Sequence, residues 1–305
     1  MITRNLLLTI SESKRLTGFI SRNGLASRLA SRFVAGETLP EAIEEIRKLN
    51  SGKTKATIDH LGENVEDRAG AQGAARVYLD ILDAVRRERL DANVSLKLTQ
   101  LGLDIDNEFC RDNLFRIAEG AKALGNFVRI DMESSAYTDR TLDIFRSAFE
   151  RYGNVGVVIQ SCLYRSERDV EWINGLRARV RLCKGAYREP REIAFPRKKD
   201  VDRNFLQLAR LLLKGGIYPA FATHDERMIE GTLSIARELG RSPEEFEFQM
   251  LYGIRRDLQK GLVEDGYTVR VYAAYGKKWA PFFVRRLAER PANVLFLLKN
   301  LFREG

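Results

Sequence analysis

The sequence holds two histidines, three cysteines and seven prolines in 305 residues, and the scarcities close off several classes of protein. With only His60 and His224, and no HxxH or HxxxH spacing, a three-histidine metal site is out of reach and no metal is expected. Cys110, Cys162 and Cys183 form no CxxC pair, and an odd count argues against a secreted disulfide framework, so the expected compartment is reducing. No apolar run approaches the roughly eighteen residues of a membrane span. The run Leu6-Leu7-Leu8 gives way at once to Glu12 and Lys14, too short for a signal peptide. A GxSxG elbow is missing as well, and Ser161 is a poor substitute, which puts a serine hydrolase far down the order. Without a long Pro/Gly/Ser linker, the length fits one large α/β domain.

What is present in excess is positive charge: 51 Lys and Arg against 42 Asp and Glu, a formal +9. Nucleic acid, a membrane surface or an anionic substrate would all suit that balance. The basic residues are interleaved with acidic ones, as in Arg86-Arg87-Glu88-Arg89, the pattern of solvated helix faces. No nucleic-acid module is found, so nucleic acid is not expected as a partner.

From Lys55 onward, short β-rich runs alternate with stretches of helical periodicity. Strands are expected over 55–60, 93–99, 127–132, 154–161, 178–184, 217–223, 246–252 and 267–273. Eight such units are what a closed (βα)8 barrel requires, with a doubly wound sheet as the alternative. Residues 1–50 read instead as an N-terminal helical arm, with helices over 21–33 and 39–49, leaving 51–305 as the barrel. Thr38-Leu39-Pro40-Glu41 has the form of a capped helix start.

Strand parity carries the functional information, because in a barrel one parity faces the helices and the other the axis. The apolar parity of Val94-Ser95-Leu96-Lys97-Leu98 must pack on helices, which turns Lys97 inward. By the same reasoning Arg129, Asp131, Gln160, Arg181, Gln249 and Tyr272 point inward, mostly near C-terminal strand ends, where barrel enzymes build their sites. Unpaired buried charges cost several kcal/mol each, so such an interior must pair its charges or hold a polar ligand. Glu63, Lys184, Tyr187 and His224 follow just past strand ends and favour the ligand. Lys97 or Lys184 at a strand end would also suit a Schiff-base nucleophile, and that enzyme class stays open.

Near the C-terminus a helix is expected to begin near Pro281, with Arg285 and Glu289 four residues apart on one face. Laid over the barrel mouth, it would bring a forked guanidinium for a carboxylate and the apolar rings of Phe282 and Phe283. The residues alone thus lead to a barrel whose mouth suits a small apolar anion.

Thr57-Ile58-Asp59-His60-Leu61-Gly62-Glu63, Ser95-Leu96-Lys97-Leu98-Thr99, Arg129-Ile130-Asp131-Met132-Glu133 and Val158-Ile159-Gln160 follow one another at successive strand ends. Arg181-Leu182-Cys183-Lys184-Gly185-Ala186-Tyr187, Ala222-Thr223-His224-Asp225, Gln249-Met250-Leu251-Tyr252-Gly253 and Arg285-Arg286-Leu287-Ala288-Glu289 continue the series. In order and placement these segments resemble the proline dehydrogenase family, over about Thr57 to Leu301. The resemblance implies a bound FAD, in keeping with the lack of a GxGxxG fingerprint after any strand.

By that resemblance Gln160, Arg181, Lys184, Gly185, Ala186, Thr223, His224 and Glu289 hold the flavin, with Arg181 toward N5. Lys97, Arg285 and Arg286 grip the carboxylate of L-proline, while Tyr187, Leu251, Tyr272 and Phe282 wall its ring. Asp131 holds the polar network together, so that Arg181, Lys97 and Asp131 form the catalytic set. Glu63 pairs with Arg285 as a gate. The resemblance further implies oxidation of L-proline to pyrroline-5-carboxylate and a membrane quinone as electron acceptor. The enzyme would be cytoplasmic, meeting the inner face of the membrane peripherally through its positive balance. Two departures from the family pattern are Cys183, where Val is common, and Phe282, where Tyr is common.

Overall fold

A strand of three to eight residues cannot shield both its faces, and a βα repeat of such strands finds shelter by closing on itself. In a computed structural model, which describes residues 13, 17–18, 32–63 and 65–289 (285–289 without their side chains), this chain does so. Eight parallel strands run in sequence order around a closed barrel: β1 Lys55–His60, β2 Ala92–Leu96, β3 Val128–Ile130, β4 Val155–Gln160, β5 Val180–Cys183, β6 Ala220–Ala222, β7 Glu247–Leu251 and β8 Thr268–Tyr275. Closure is made by β1 on β8, in register from Lys55 opposite Arg270 to His60 opposite Tyr275.

The helices are α1 Leu39–Ser51, α2 Arg68–Arg87, α3 Asn107–Ala123, α4 Thr138–Tyr152, α5 Ser166–Leu176, α6 Lys198–Gly215, α7 Glu226–Glu238, α8 Arg256–Glu264 and α9 Trp279–Glu289. Those between the strands pack an apolar stripe onto the barrel. In α2 the stripe is Ala71, Ala74, Ala75, Tyr78, Ile81, Leu82 and Val85, spaced three and four apart, and Asp67 caps the helix by accepting from the Gly70 N–H at 2.7 Å. Facing the helices, Ile58, Val94, Ile130, Val157, Leu182 and Phe248 are wholly shut from solvent. At about 1.5–3 kcal/mol for each fully buried large side chain, this shell between strands and helices supplies the main driving force.

The eight expected strands all form; β1 has the expected bounds, and the others differ from expectation at their ends. β2 stops at Leu96 because the chain turns into a 3-10 helix over Leu98–Leu101, closed by Gly102 at φ 98°. β6 starts only at Ala220, after Tyr218 takes a left-handed φ of 45° and Pro219 follows. The expected helix start at Thr38 is present: Glu41 reaches back to accept from the Thr38 N–H at 3.0 Å. α1 buries Ala42 and Ile46 in the main core and packs on β1 and β8. The helix expected over 21–33 lies almost wholly outside the described residues.

Two pieces of chain cover the C-terminal mouth of the barrel. The segment before α1 is tied to β8, with Ala35 N–H donating to Ala274 O at 2.8 Å and Gly276 N–H to Gly36 O at 3.0 Å. It passes so close to Gly253 (φ 75°) that a Cβ there would sit 1.6 Å from Arg32 O, a position only glycine can hold. α9 then lays Trp279, Ala280, Phe282 and Phe283 onto Val34, Leu61 and Ala274, with Phe33, Leu251 and Tyr272 packed alongside. No helix among the described residues is long and apolar enough to cross a membrane.

Candidate active site

The inward parity divides by height into two polar layers. At the floor, toward the N-terminal strand ends, Arg270 donates through Nε to Glu247 Oε1 at 2.8 Å and through Nη1 to Ala56 O at 2.8 Å. Arg129 also belongs here. Its Nη1 donates to Arg179 O at 2.8 Å and Val157 O at 3.3 Å, and its guanidinium stacks on the Phe127 ring. The side chain that parity placed among the inward charges is thus a floor residue, away from the mouth.

At the mouth, Asp131 is the hub. Its Oδ1 accepts from Arg181 Nη1 at 2.7 Å and from Ser95 Oγ at 2.6 Å, and its Oδ2 accepts from Tyr272 OH at 2.6 Å and Lys97 Nζ at 3.4 Å. Lys97 also faces Asp59 Oδ2 at 3.4 Å and Glu63 Oε1 at 3.7 Å. Arg181 donates through Nε to Gln249 Oε1 and through Nη1 to Ser95 as well, and lies over the face of Tyr272. The five residues expected inward near the mouth from β2, β3, β5, β7 and β8 therefore meet in one hydrogen-bonded cluster.

The electrostatics follow from this geometry. Burial alone would lower the Lys97 pKa, but the surrounding Asp59, Asp131 and Glu63 together raise it. Lys97 is therefore a firmly protonated ammonium, which removes the nucleophilic lone pair a Schiff base needs. Burial pushes Asp131 up, yet Lys97 and Arg181 prevail and hold it below the usual carboxylate range. Asp59 moves up instead, because burial and the neighbouring Asp131 outweigh Lys97 and Tyr272.

The candidate cofactor residues line the ends of β4, β5 and β6. Gln160 donates through Nε2 to Glu133 O at 3.0 Å. Lys184, Gly185, Ala186 and Tyr187 leave β5 as a half-buried loop. Gly185, at φ 104°, has room for nothing larger, since a Cβ would meet Cys162 Sγ at 2.4 Å and Gln160 Oε1 at 3.2 Å. Lys184 contacts Asp202 and, at 2.8 Å, Asp225, both of which Lys198 shares. Thr223 donates its N–H to Gln249 O at 3.1 Å and accepts from the Asp225 N–H at 3.1 Å. His224 accepts the Leu251 N–H at Nε2, 2.9 Å away, so a neutral ring carries its proton on Nδ1.

Of the expected ring-walling residues, Leu251, Tyr272 and Phe282 share the apolar cluster under α9, and Tyr187 lies near enough to act on the Lys97 charge. Arg285, Arg286 and Glu289 are on α9, and their side chains lie outside the described residues, as does the Glu63–Arg285 gate.

Sequence reasoning passed over three buried groups. Asp59 accepts from Tyr78 OH at 3.1 Å, making the outward-placed α2 reach into the site. Glu133 accepts from Thr99 N–H at 3.1 Å and Thr99 Oγ1 at 2.7 Å, and burial, against those bonds, lifts its pKa to about 7. Glu133 continues the parity of Arg129 and Asp131, a signal that was available, whereas no residue of β1 was placed by parity and Tyr78 lies on a helix.

A closed parallel barrel with a charged, partly apolar site at its C-terminal mouth defines a (βα)8-barrel enzyme. The proline dehydrogenase family model matches residues 42–299, and the chain belongs to that family of oxidoreductases. It is 40% identical to Proline dehydrogenase 2 of Bacillus subtilis (strain 168) over 304 residues, covering 100% of both chains. With Proline dehydrogenase of Deinococcus radiodurans it shares 38% over 305 residues, 98% of each. Among solved structures it is similar to proline utilization A (PutA) from Bdellovibrio bacteriovorus inactivated by N-propargylglycine, with a TM-score of 0.81 and 28% identity. That likeness covers 86% of this chain and 32% of the other, so this chain spans about a third of the PutA protein.

Proposed function

We propose that this chain oxidises L-proline to 1-pyrroline-5-carboxylate, the first step of proline catabolism, with FAD supplying the hydride acceptor at N5 and a membrane quinone the final one. The observation that carries the reading is Arg181. Three of its N–H groups go to Gln249, Ser95 and Asp131, and among the described residues Nη2 has no protein partner. A fixed guanidinium with donors to spare, beneath an apolar wall, suits a site where negative charge develops.

The donor chemistry around the mouth fits FAD. Arg181, Gln160 and the Nδ1 side of His224 are donors suited to a flavin ring, and Lys184 is a cation for its phosphates. The bare backbone of Gly185, flanked by Ala186, permits the close approach a flat ring system requires. Thr223 and Glu289 would complete the cofactor contacts. Lys97, a permanent ammonium, would hold the proline carboxylate with Arg285 and Arg286. Leu251, Tyr272, Phe282 and Tyr187 would enclose the ring, exclude water and fix the carbon next to the amine at near-attack distance. Asp131 holds Arg181, Lys97 and Tyr272 in one arrangement, and Glu63 would close the pocket over them by pairing with Arg285. Peripheral contact with anionic lipid would suit the +9 charge.

An absorbance spectrum tests this reading. The purified protein is expected to be yellow and to bleach anaerobically with L-proline; a colourless protein that takes up no FAD overturns it.

A further inference from the structure

The floor and the mouth of the barrel are joined by one chain of hydrogen bonds along the axis. Arg270 Nε donates to Glu247 Oε1, Gln249 Nε2 donates to the same oxygen, and Gln249 Oε1 in turn accepts from Arg181 Nε. All four residues are nearly shut from solvent, at 8%, 2%, 4% and 5% exposure, so each link is shielded from bulk water. We infer that Gln249, oriented by the Glu247–Arg270 pair, is a positioning residue for Arg181. The inference rests on the proposed function for the importance of Arg181, and on hydrogen-bond geometry for the rest.

A primary amide has two orientations related by a half-turn, and only one works here. With Oε1 toward Arg181, the amide accepts the Nε–H; flipped, it would set an N–H against an N–H. The choice is imposed from the other side, by what Glu247 can do. Burial pushes the Glu247 carboxyl up, yet the adjacent Arg270 prevails and keeps it ionised, so it only accepts. It therefore draws the Nε2 end of the amide toward the floor and leaves the oxygen facing the mouth. With its Nε–H fixed, the planar Arg181 guanidinium has a set rotation, and Nη1 falls on Asp131 and Ser95 while Nη2 stays unspent. Gln249 touches neither Asp131 nor Lys97 among the described bonds, so its influence runs through Arg181.

The test uses the FAD-loaded full chain and two substitutions, Gln249→Met and Glu247→Gln. Gln249→Met keeps the side-chain length but can neither accept from Arg181 nor donate to Glu247. Glu247→Gln lets the amide at 249 flip. In 15N-arginine-labelled protein, the Arg181 Nε–H is expected to exchange with solvent at least about tenfold faster in Gln249→Met. The rate constant for flavin reduction by saturating L-proline should fall about tenfold in Gln249→Met and about threefold in Glu247→Gln, with proline dissociation constants within about twofold of wild type. A reduction rate per bound flavin equal to wild type in Gln249→Met, with only a lower melting temperature, would reduce Gln249 to packing and overturn the proposal. Wild-type exchange and reduction in Glu247→Gln would equally overturn the orienting role of the ion pair. Should Gln249→Met not fold, Glu247→Gln decides. If proline fails to bleach the wild-type holoenzyme, the functional reading falls, and Nε–H exchange alone judges the positioning chain.

Discussion

Two inward arginines of the same barrel, Arg129 on β3 and Arg181 on β5 with β4 between them, are almost equally buried and lie in different polar layers. Arg129 at the floor gives Nη1 to backbone carbonyls, stacks on Phe127 and meets no carboxylate in any described ion pair. Burial and the nearby Arg181 depress its pKa. Arg181 at the mouth is bound to the ionised Asp131 and to two neutral acceptors, with donors left over. The floor ties its charges to backbone carbonyls and to the Glu247–Arg270 pair, with Arg129 Nε and Glu247 Oε2 buried without a partner among the described residues, whereas the mouth gathers its charges on Asp131 and around Lys97, where the ion pairs lie at 3.4–3.7 Å. The two layers differ in what their charges are tied to: backbone and one ion pair at the floor, one another around Asp131 at the mouth.

The contrast can be broken at the floor first. Arg270→Met strands Glu247 as a bare charge inside the barrel, and a loss of about 3–5 kcal/mol is expected, measured by urea unfolding. Adding Glu247→Met should recover most of it, and no recovery would mean that the pair is not the unit of stability. At the mouth, Arg181→Met is expected to slow anaerobic flavin reduction by about a hundredfold or more, with little change in melting temperature. A large melting shift with unchanged reduction would make Arg181 a floor-type residue after all.

Glu133 sharpens the boundary between the layers through pH. Its folded pKa of about 7 lies above the ordinary 4.5, so its contribution to stability is full below 4.5 and is lost as pH rises through 7. Glu133→Gln should therefore flatten the stability profile over that window, by at most about 3 kcal/mol. An identical pH profile would show that the two Thr99 bonds keep the carboxylate ionised at no cost. The smallest effect is expected at Phe282. Phe282→Tyr should barely alter kcat/KM for proline, while Phe282→Ala weakens proline binding and relaxes discrimination against 4-hydroxyproline. A large melting shift with an unchanged hydroxyproline-to-proline ratio would assign Phe282 to packing alone.

Much of the barrel was legible because strand parity and strand number are one-dimensional signals. The alternation in Val94–Leu98 was enough to turn Lys97 inward, and the same argument served Asp131, Arg181, Gln249 and Tyr272. Height along the axis was not legible. Arg129 and Asp131 sit two residues apart with the same parity, and the rise of the strand, about 3.3 Å per residue, is enough to leave one at the floor and the other at the mouth. Contributions from the helices were hidden too. Tyr78 reads as one more member of the α2 apolar stripe, and only packing shows that its hydroxyl reaches Asp59. The arginines of α9 were read from a motif, and their side chains fall outside the described residues.

Barrel closure also sets a schedule for biosynthesis. The mouth needs Lys97 from the end of β2 and Tyr272 from β8, and β8 closes the barrel by pairing with β1, more than two hundred residues earlier in the chain, as well as with β7. Such distant contacts form late, since the loop must close before they reward it. A nascent chain on the ribosome can complete seven strands and still present an open edge with no Tyr272 beneath Asp131. The complete mouth is therefore offered to a ligand only once β8 has been translated and the barrel has closed.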